Sequence, residues 1–362
     1  MDLLLNEQQL MLQSTVQDLL KRDFTKERLA EFDSGKADLK DQWDSVCSTG
    51  ILGSLIPEEY GGVGGSFSDT GVVFQELGKG PLPGPHFTSS VLAANLIIQC
   101  GTESQKHNYL PRIAEGKFIF SVAISNLNQS VNTIFEDFRL AQNGVSGVRL
   151  NIPELRLATH VIVPFTSEPG IQGLAVIPTN TYGLSIRPLT GMSTEQYELK
   201  TENAEIEEIL TGFKLSAFSS ALIQSTALLC SFQVGGLERV FEMCLTYSKT
   251  RHQFGQPIGR FQRVQDHIID IVNYLDSAKW TTYEALWKLD TAQESKVGIH
   301  MAGSLASEGY YLGCNAAHDV HAGVGIIREY GLTLHTKMSR TLYSYLGNPR
   351  YHRNEIAKAL YF

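Results

Sequence analysis

Leu10, Leu12, Val16, Leu19 and Leu20 recur at the spacing of an amphipathic helix, and Trp43, Val46 and Leu52 repeat the pattern further on. The Pro/Gly-rich run Ile56–Ser66 (IPEEYGGVGGS) reads as a loop. A helix over about 68–77 follows, a break at Gly78–Pro85, and helical patterns over 86–100 and 103–115. Near Phe118 the period changes: FIFSVAIS has the β-branched and aromatic character of a strand. Short apolar runs at 146–150, 160–165, 173–177 and 183–187 are separated by Asn143-Gly144, Pro169-Gly170 and Asn180, which predicts a compact β-barrel or sandwich. The stretch 201–212 carries mixed signals. From about Ser216 the helical period returns over 217–249, 261–289, 295–318, 331–344 and 350–360, with one early glycine pair, Gly235-Gly236. The order helical, β, helical divides the chain into 1–117, 118–214 and 215–362, an α+β architecture.

Composition narrows the classes. At 43% hydrophobic and 19% charged, the 362 residues read as globular rather than disordered, and the length suits two to three domains. Thirty Lys and Arg against 38 Asp and Glu give a net charge of −8, and no basic run occurs, so nucleic acid is a poor partner. Five cysteines without a CxxC argue against a disulfide framework or a zinc ribbon and fit reduced thiols. The start, MDLLLNEQQL, has acidic and amide residues where a signal peptide needs Lys or Arg. No apolar stretch approaches the roughly 18 residues of a membrane span. The expectation is a cytoplasmic protein outside the membrane.

Two segments carry chemistry. In Tyr247–Asp270, Arg251 offers a planar, always-charged fork to a phosphate or pyrophosphate, Phe254 can stack on a flat ring, and Gln262 can donate and accept. The alternative is a helix hairpin whose Arg caps a helix C-terminus. In His318–Tyr330, Gly323 and Gly325 permit close backbone approach. His318, Asp319 and His321 lack a further ligand at fixed spacing, so hydrogen-bonded histidines are expected there rather than a metal. Gly61–Gly65 (GGVGG) is no dinucleotide fingerprint, because helices flank it where a strand is needed.

Together these segments resemble the acyl-CoA dehydrogenase superfamily over essentially the whole chain. IPEEYGG is similar to the loop that lines the acyl pocket there. RHQFGQPIGRFQRVQ (Arg251–Gln265) resembles the diagnostic Arg-x-x-Phe-Gly…Phe-Gln stretch, and HAGVGIIREY (His321–Tyr330) the Gly-Gly-x-Gly-Tyr loop. The resemblance implies an N-terminal helical domain, a middle small β-barrel and a C-terminal four-helix bundle. It also implies FAD, an acyl-CoA substrate oxidised between its α and β carbons, and an electron-transfer flavoprotein as acceptor. In that family a glutamate takes the α proton and the flavin takes the β hydride. The flavin site is shared between subunits, and Arg251, Phe254, Gln262 and Gly323 match the half that one subunit donates to its neighbour. The family's usual glutamine in the second segment is Asp319 here.

Departures from the family pattern set the expected role. The catalytic Tyr-Glu-Gly-Thr corresponds to Tyr345-Leu346-Gly347-Asn348, and the alternative glutamate position on the first long C-terminal helix is Ser225. Neither residue is a credible base, so no catalytic residue is assigned. Ser121–Asn132 (SVAISNLNQSVN) has neither the Thr-Glu nor the Gly-Ser of the family's own-flavin loop. Gly78–Leu96 and Arg328–Arg340 resemble the glutamate-lacking subunit of bacterial heterotetrameric enzymes of steroid side-chain degradation. The expectation is a non-catalytic subunit that completes the FAD site of a related glutamate-bearing partner in an α2β2 assembly. The alternatives are a self-sufficient enzyme with a relocated base (Glu238, Glu242 or Glu355) and a redox-inactive scaffold.

Overall fold

A computed structural model describes residues 4–361 apart from 125–126, 128–130, 142–143, 169 and 192–194. The expected turns at Asn143 and Pro169, and residues 125–126 and 128–130 of the 121–132 loop, therefore lie outside the described residues.

Among the described residues six α-helices come first: α1 (Glu7–Asp23), α2 (Lys26–Asp33), α3 (Lys40–Ser48), α4 (Phe67–Lys79), α5 (Ala94–Cys100) and α6 (Glu103–Ala114). Asn6, Ser66 and Thr102 cap α1, α4 and α6 in reciprocal capping boxes, so these starts are fixed locally. A π-helical stretch, Thr88–Ala93, runs into α5.

Eight strands follow among the described residues: β1 (Phe120–Val122), β2 (Phe138–Ala141), β3 (Gly144–Pro153), β4 (His160–Ser167), β5 (Ile171–Pro178), β6 (Leu184–Leu189), β7 (Gln196–Ala204) and β8 (Glu208–Ile209). They form one mixed sheet in the order β6-β7-β3-β2-β4-β5-β8, with β1 also paired to β4. Strands β4 and β5 are buried on both faces, and alternation sorts their side chains. Val161, Val163, Phe165, Ala175 and Ile177 fill the sheet's own core. Ile162, Leu174 and Val176 join the core shared with the helices. β3 slips register against β7 between Arg149 and Ile152, and the main chain there takes positive φ at Asn151 (60°) and Glu154 (58°).

The C-terminal part holds α7 (Leu215–Thr250), α8 (Gln262–Asp290), α9 (Lys296–His321), α10 (Leu332–Leu342) and α11 (Pro349–Ala359). A small hairpin, β9 (His252–Gln253) and β10 (Gln256–Pro257), joins α7 to α8. α7 packs on α4, α8 and α9, and the first and last parts of the chain share one core. Gly78 and Gly235 make the α4–α7 contact close: a Cβ on either would collide with the carbonyl of Phe232 or of Gln75.

One expectation needs correction. α7 is 36 residues long, with an 18-residue window of mean hydropathy 1.4, and so meets the length and apolarity of a membrane span. Its apolar character has a structural cause, since 61% of that window is buried inside the protein.

Candidate functional site

The hairpin between α7 and α8 builds the first half of the site. The Arg251 main chain caps the C-terminus of α7: its N–H donates to the Tyr247 carbonyl, and its carbonyl accepts from Ile258 N–H at 2.9 Å. Phe254 and Gly255 form the two-residue turn with φ of 51° and 79°, the mirror-type geometry that suits a tight hairpin. The turn lifts Phe254 into solvent, where it is 90% exposed and meets Phe261 edge-on at 6.0 Å.

Opposite lies the end of α9 and the 3-10 turn Ala322–Ile326. Between them is an open cavity of about 430 Å³, lined by Tyr247, Arg251, Gln253, Ile258, His321 and Gly323 among others. A Cβ on Gly323 would meet nothing within 4 Å. No ion pair or hydrogen bond of the Arg251 guanidinium occurs among the described residues. Tyr247 stacks on His321 (4.6 Å, 25°), and His321 Nδ1–H donates to the Ala317 carbonyl at 2.8 Å. Burial pushes the His321 pKa down, so its ring is a neutral wall. The structure brings Arg251 and Gly323 to one cavity and Phe254 to the adjoining hairpin tip. Gln262 starts α8 beside it, exposed, and does not line this cavity.

The other half concerns the two glutamate positions. Ser225 is fully buried on α7, and Asn95 on α5 approaches it, Nδ2 to Oγ, at 3.4 Å while also donating to the Ala221 carbonyl at 3.1 Å. Leu346 is 3% exposed and lines a separate cavity of about 80 Å³ with Leu127, Val131, Leu222, Thr226 and Tyr351. Lys296, His300 and Glu355 also line it. Glu355, one of the alternative bases, comes nine residues after Leu346. α11 turns back on α9 and puts it in the same cavity, where it pairs with Lys358 at 2.7 Å. His300 was missed altogether. No sequence signal marks it, since its partner His352 is 52 residues away. Burial lowers His300 to about 4, so it is neutral at pH 7 and a weak proton acceptor.

Other expected groups fall elsewhere. Ile56–Ser66 packs on α6, with Tyr60 Oη donating to Glu103 at 2.8 Å, and lines none of the cavities described here. Glu238 joins Lys79 (3.2 Å) and Lys279 (3.4 Å), and Glu242 pairs with Arg239 at 3.0 Å. His318 Nε2 lies 2.8 Å from Thr336 Oγ1. Asp319 is largely exposed, with His267 at 3.9 Å.

Comparison with known proteins gives the following. Residues 6–117 match the acyl-CoA dehydrogenase N-terminal domain, and residues 215–361 match the acyl-CoA dehydrogenase C-terminal domain. A probable acyl-CoA dehydrogenase of Bacillus subtilis, YngJ, is 26% identical over 349 residues, covering 91% of each chain. The ChsE4-ChsE5 complex of Mycobacterium tuberculosis superposes with a TM-score of 0.87 at 22% identity, over 100% of this chain and 99% of the other. A glutaryl-CoA dehydrogenase of Mycobacterium smegmatis in complex with FADH2 superposes with a TM-score of 0.88 at 20% identity, over 98% and 95%. At these identities the two structures show the shared fold.

Proposed function

The chain belongs to the acyl-CoA dehydrogenase family of oxidoreductases, and we propose that within it this is the subunit that completes a related partner's FAD site and brings no base of its own. The observation that carries this reading is the contrast between its two half-sites. At the edge, Arg251 holds a positive charge without a partner among the described residues, in an open cavity beside Gly323, with the Phe254 ring exposed on the adjoining hairpin tip. That set fits the pyrophosphate and a flat ring of an FAD held mainly by another chain. Inside, Leu346 presents an alkyl chain and Ser225 a sealed hydroxyl where the family carries its carboxylate.

FAD, when bound, supplies the hydride acceptor. This chain's residues bind and orient its distal half, and the α proton goes to the partner's glutamate. The relative that crystallises as a ChsE4-ChsE5 complex supports a two-chain assembly, and the relative with FADH2 supports the flavin. An acyl-CoA as substrate and an electron-transfer flavoprotein as acceptor follow from the family resemblance, and the cytoplasm as location from the sequence.

The test is expression alone and together with a glutamate-bearing relative. The chain alone shows no acyl-CoA oxidation, and the pair carries FAD and turns over. Full flavin loading with turnover by the chain alone overturns the reading. One observation favours a second reading, a self-sufficient enzyme: Glu355 lines the cavity of Leu346. Turnover of the lone chain abolished by Glu355→Gln would establish it.

A further inference from the structure

The wall of the edge cavity that faces Arg251 is weakly held by its own side chains. It consists of two consecutive 3-10 turns, Ala322–Ile326 and Arg328–Tyr330. Gly323, Val324 and Ile327 from this stretch line the cavity. Within the two turns only Gly325 is buried, and Ile326 and Ile327 are 72% and 50% exposed. A segment that buries so little apolar surface gains little from packing and opens at low cost in free energy. Its backbone is tied by short-range bonds: Ile327 N–H donates to the Val324 carbonyl, Tyr330 to Ile327 and Gly331 to Arg328. Such three-residue bonds have poorer geometry than those of an α-helix.

Two anchors compensate. The first is Tyr330, which meets Tyr247 edge-on at 6.2 Å and lies 5.1 Å from His321, both of them cavity residues. The second comes from the start of the chain. Asp33, the last residue of α2, has a side chain only 15% exposed. Its Oδ2 lies 3.2 Å from Arg328 Nε, and its Oδ1 accepts from Lys337 Nζ on α10. α2 touches both the Arg328–Tyr330 turn and α10. One carboxylate therefore ties α2 to the second turn and to the helix that follows it. A carboxylate largely shielded from water is screened less by salt than an exposed one, so this tie is stronger than an ordinary surface pair. Asp33 itself does not line the cavity.

We propose that Asp33 is a positioning residue for the flavin half-site: through Arg328 and Lys337 it holds the turns that carry Gly323 in place across from Arg251. The inference rests on the reading of this cavity as the half-site donated to a partner's FAD. Asp33 acts on the flavin only through the turns. With the turns already ordered, binding the pyrophosphate end costs less conformational entropy. The helical start of the chain thus contributes to a site whose own residues all lie beyond Tyr247.

The test has two arms. Hydrogen exchange on the free chain reads the turns directly and needs neither flavin nor partner. Asp33→Asn keeps the shape and removes the charge. It should speed exchange of the Ile327, Tyr330 and Gly331 amides about fivefold more than that of the slowest α7 amides, the scale of one partly buried ion pair. Arg328→Gln should do the same, and Asp33→Glu, which keeps the charge, should restore most of the protection. In the second arm the chain is paired with a glutamate-bearing relative, and Asp33→Asn should speed FAD release by a similar factor while Asp33→Glu stays close to the parent. Unchanged exchange at the turns, or equal acceleration throughout the chain, overturns the proposal. Loosened turns with unchanged FAD release overturn it as well, by showing that their order does not matter to the flavin. A parental pair that holds no FAD overturns the underlying reading and this proposal with it, and the exchange arm then shows separately whether Asp33 holds the turns.

Discussion

His300 and His352 face each other Nδ1 to Nδ1 at 3.0 Å in the buried contact between α9 and α11. One nitrogen must donate and the other accept, so the accepting ring must be neutral. Burial lowers His300 to about 4 and His352 to about 3, and His86 and His335 to about 3 as well. Below the ordinary histidine value of about 6.5 the unfolded chain takes up protons that the folded chain refuses. The unfolded state then binds more protons, and stability falls as pH falls. The loss begins near pH 6.5 and continues to about pH 4, where the folded rings start to protonate. Urea midpoints at pH 7.5, 6 and 5 should decline steadily, and a flat series would contradict the assignment. Replacing His300 and His352 together by Leu should cut proton uptake on unfolding by about two between pH 6 and 5.

The α4–α7 contact makes a second prediction. Gly235→Ala drives a methyl into the Gln75 carbonyl, and backbone cannot swing aside as a side chain can. The cost should reach about 3 kcal/mol or more, the upper end of overpacking penalties. Gly298, in the first turn of α9, has open space within 4 Å of the point an added methyl would occupy, so Gly298→Ala should stabilise by about 0.5–1 kcal/mol. Opposite signs for two Gly→Ala changes in helices, read by chemical denaturation, distinguish packing from propensity.

Arg251 separates two roles that the sequence left open, phosphate grip and helix cap. Its side chain makes no hydrogen bond or ion pair among the described residues, so Arg251→Ala should leave the free chain's stability within about 0.5 kcal/mol. In a complex with a glutamate-bearing partner the same change should weaken FAD retention at least tenfold, with Arg251→Lys intermediate because a point charge replaces a fork. A drop in free-chain stability of more than about 1 kcal/mol would favour the cap.

How far the sequence was legible depends on whether the signal was local. The span of α7 was readable, because one helical period runs through it almost unbroken and its glycine pair has a packing use. β7 was harder: Tyr197, Leu199 and Thr201 alternate inward, but the polar residues between them and the tail Glu202–Asn203 blurred the pattern. β2 has four residues, too few for a period. The edge site was legible because Arg251, Phe254 and Gly255 lie within one hairpin. The meeting of Leu346 with Glu355 and His300 depends on how α11 packs on α9. The pairing of Asp33 with Arg328 and Lys337 depends on how α2 packs on α10. No spacing in the chain encodes either.

Leu346 gives the most direct test of the missing base. Leu346→Glu puts a carboxylate into a confined cavity of about 80 Å³ whose walls include Leu127, Val131 and Leu222 as well as Lys296, His300 and Glu355. Replacing the packed alkyl chain by a buried acid should destabilise the fold by about 2–5 kcal/mol. The new carboxyl should have a raised pKa, because desolvation disfavours its charged form. The folded state then holds a proton that the unfolded state releases above about pH 4.5, so the penalty grows as pH rises and is smallest in mild acid. This slope is opposite in sign to that of the buried histidines, and the difference between variant and parent at pH 5.5 and 8 isolates it. Ser225→Glu should be worse tolerated, since Ser225 is fully buried with Asn95 Nδ2 already 3.4 Å from its hydroxyl. If the chain holds a reacting centre of its own, Leu346→Glu should raise acyl-CoA oxidation by the roughly 10²–10⁴ that a positioned base contributes. The donated-half reading expects the opposite: the variant folds less stably, titrates as described and remains without turnover when expressed alone.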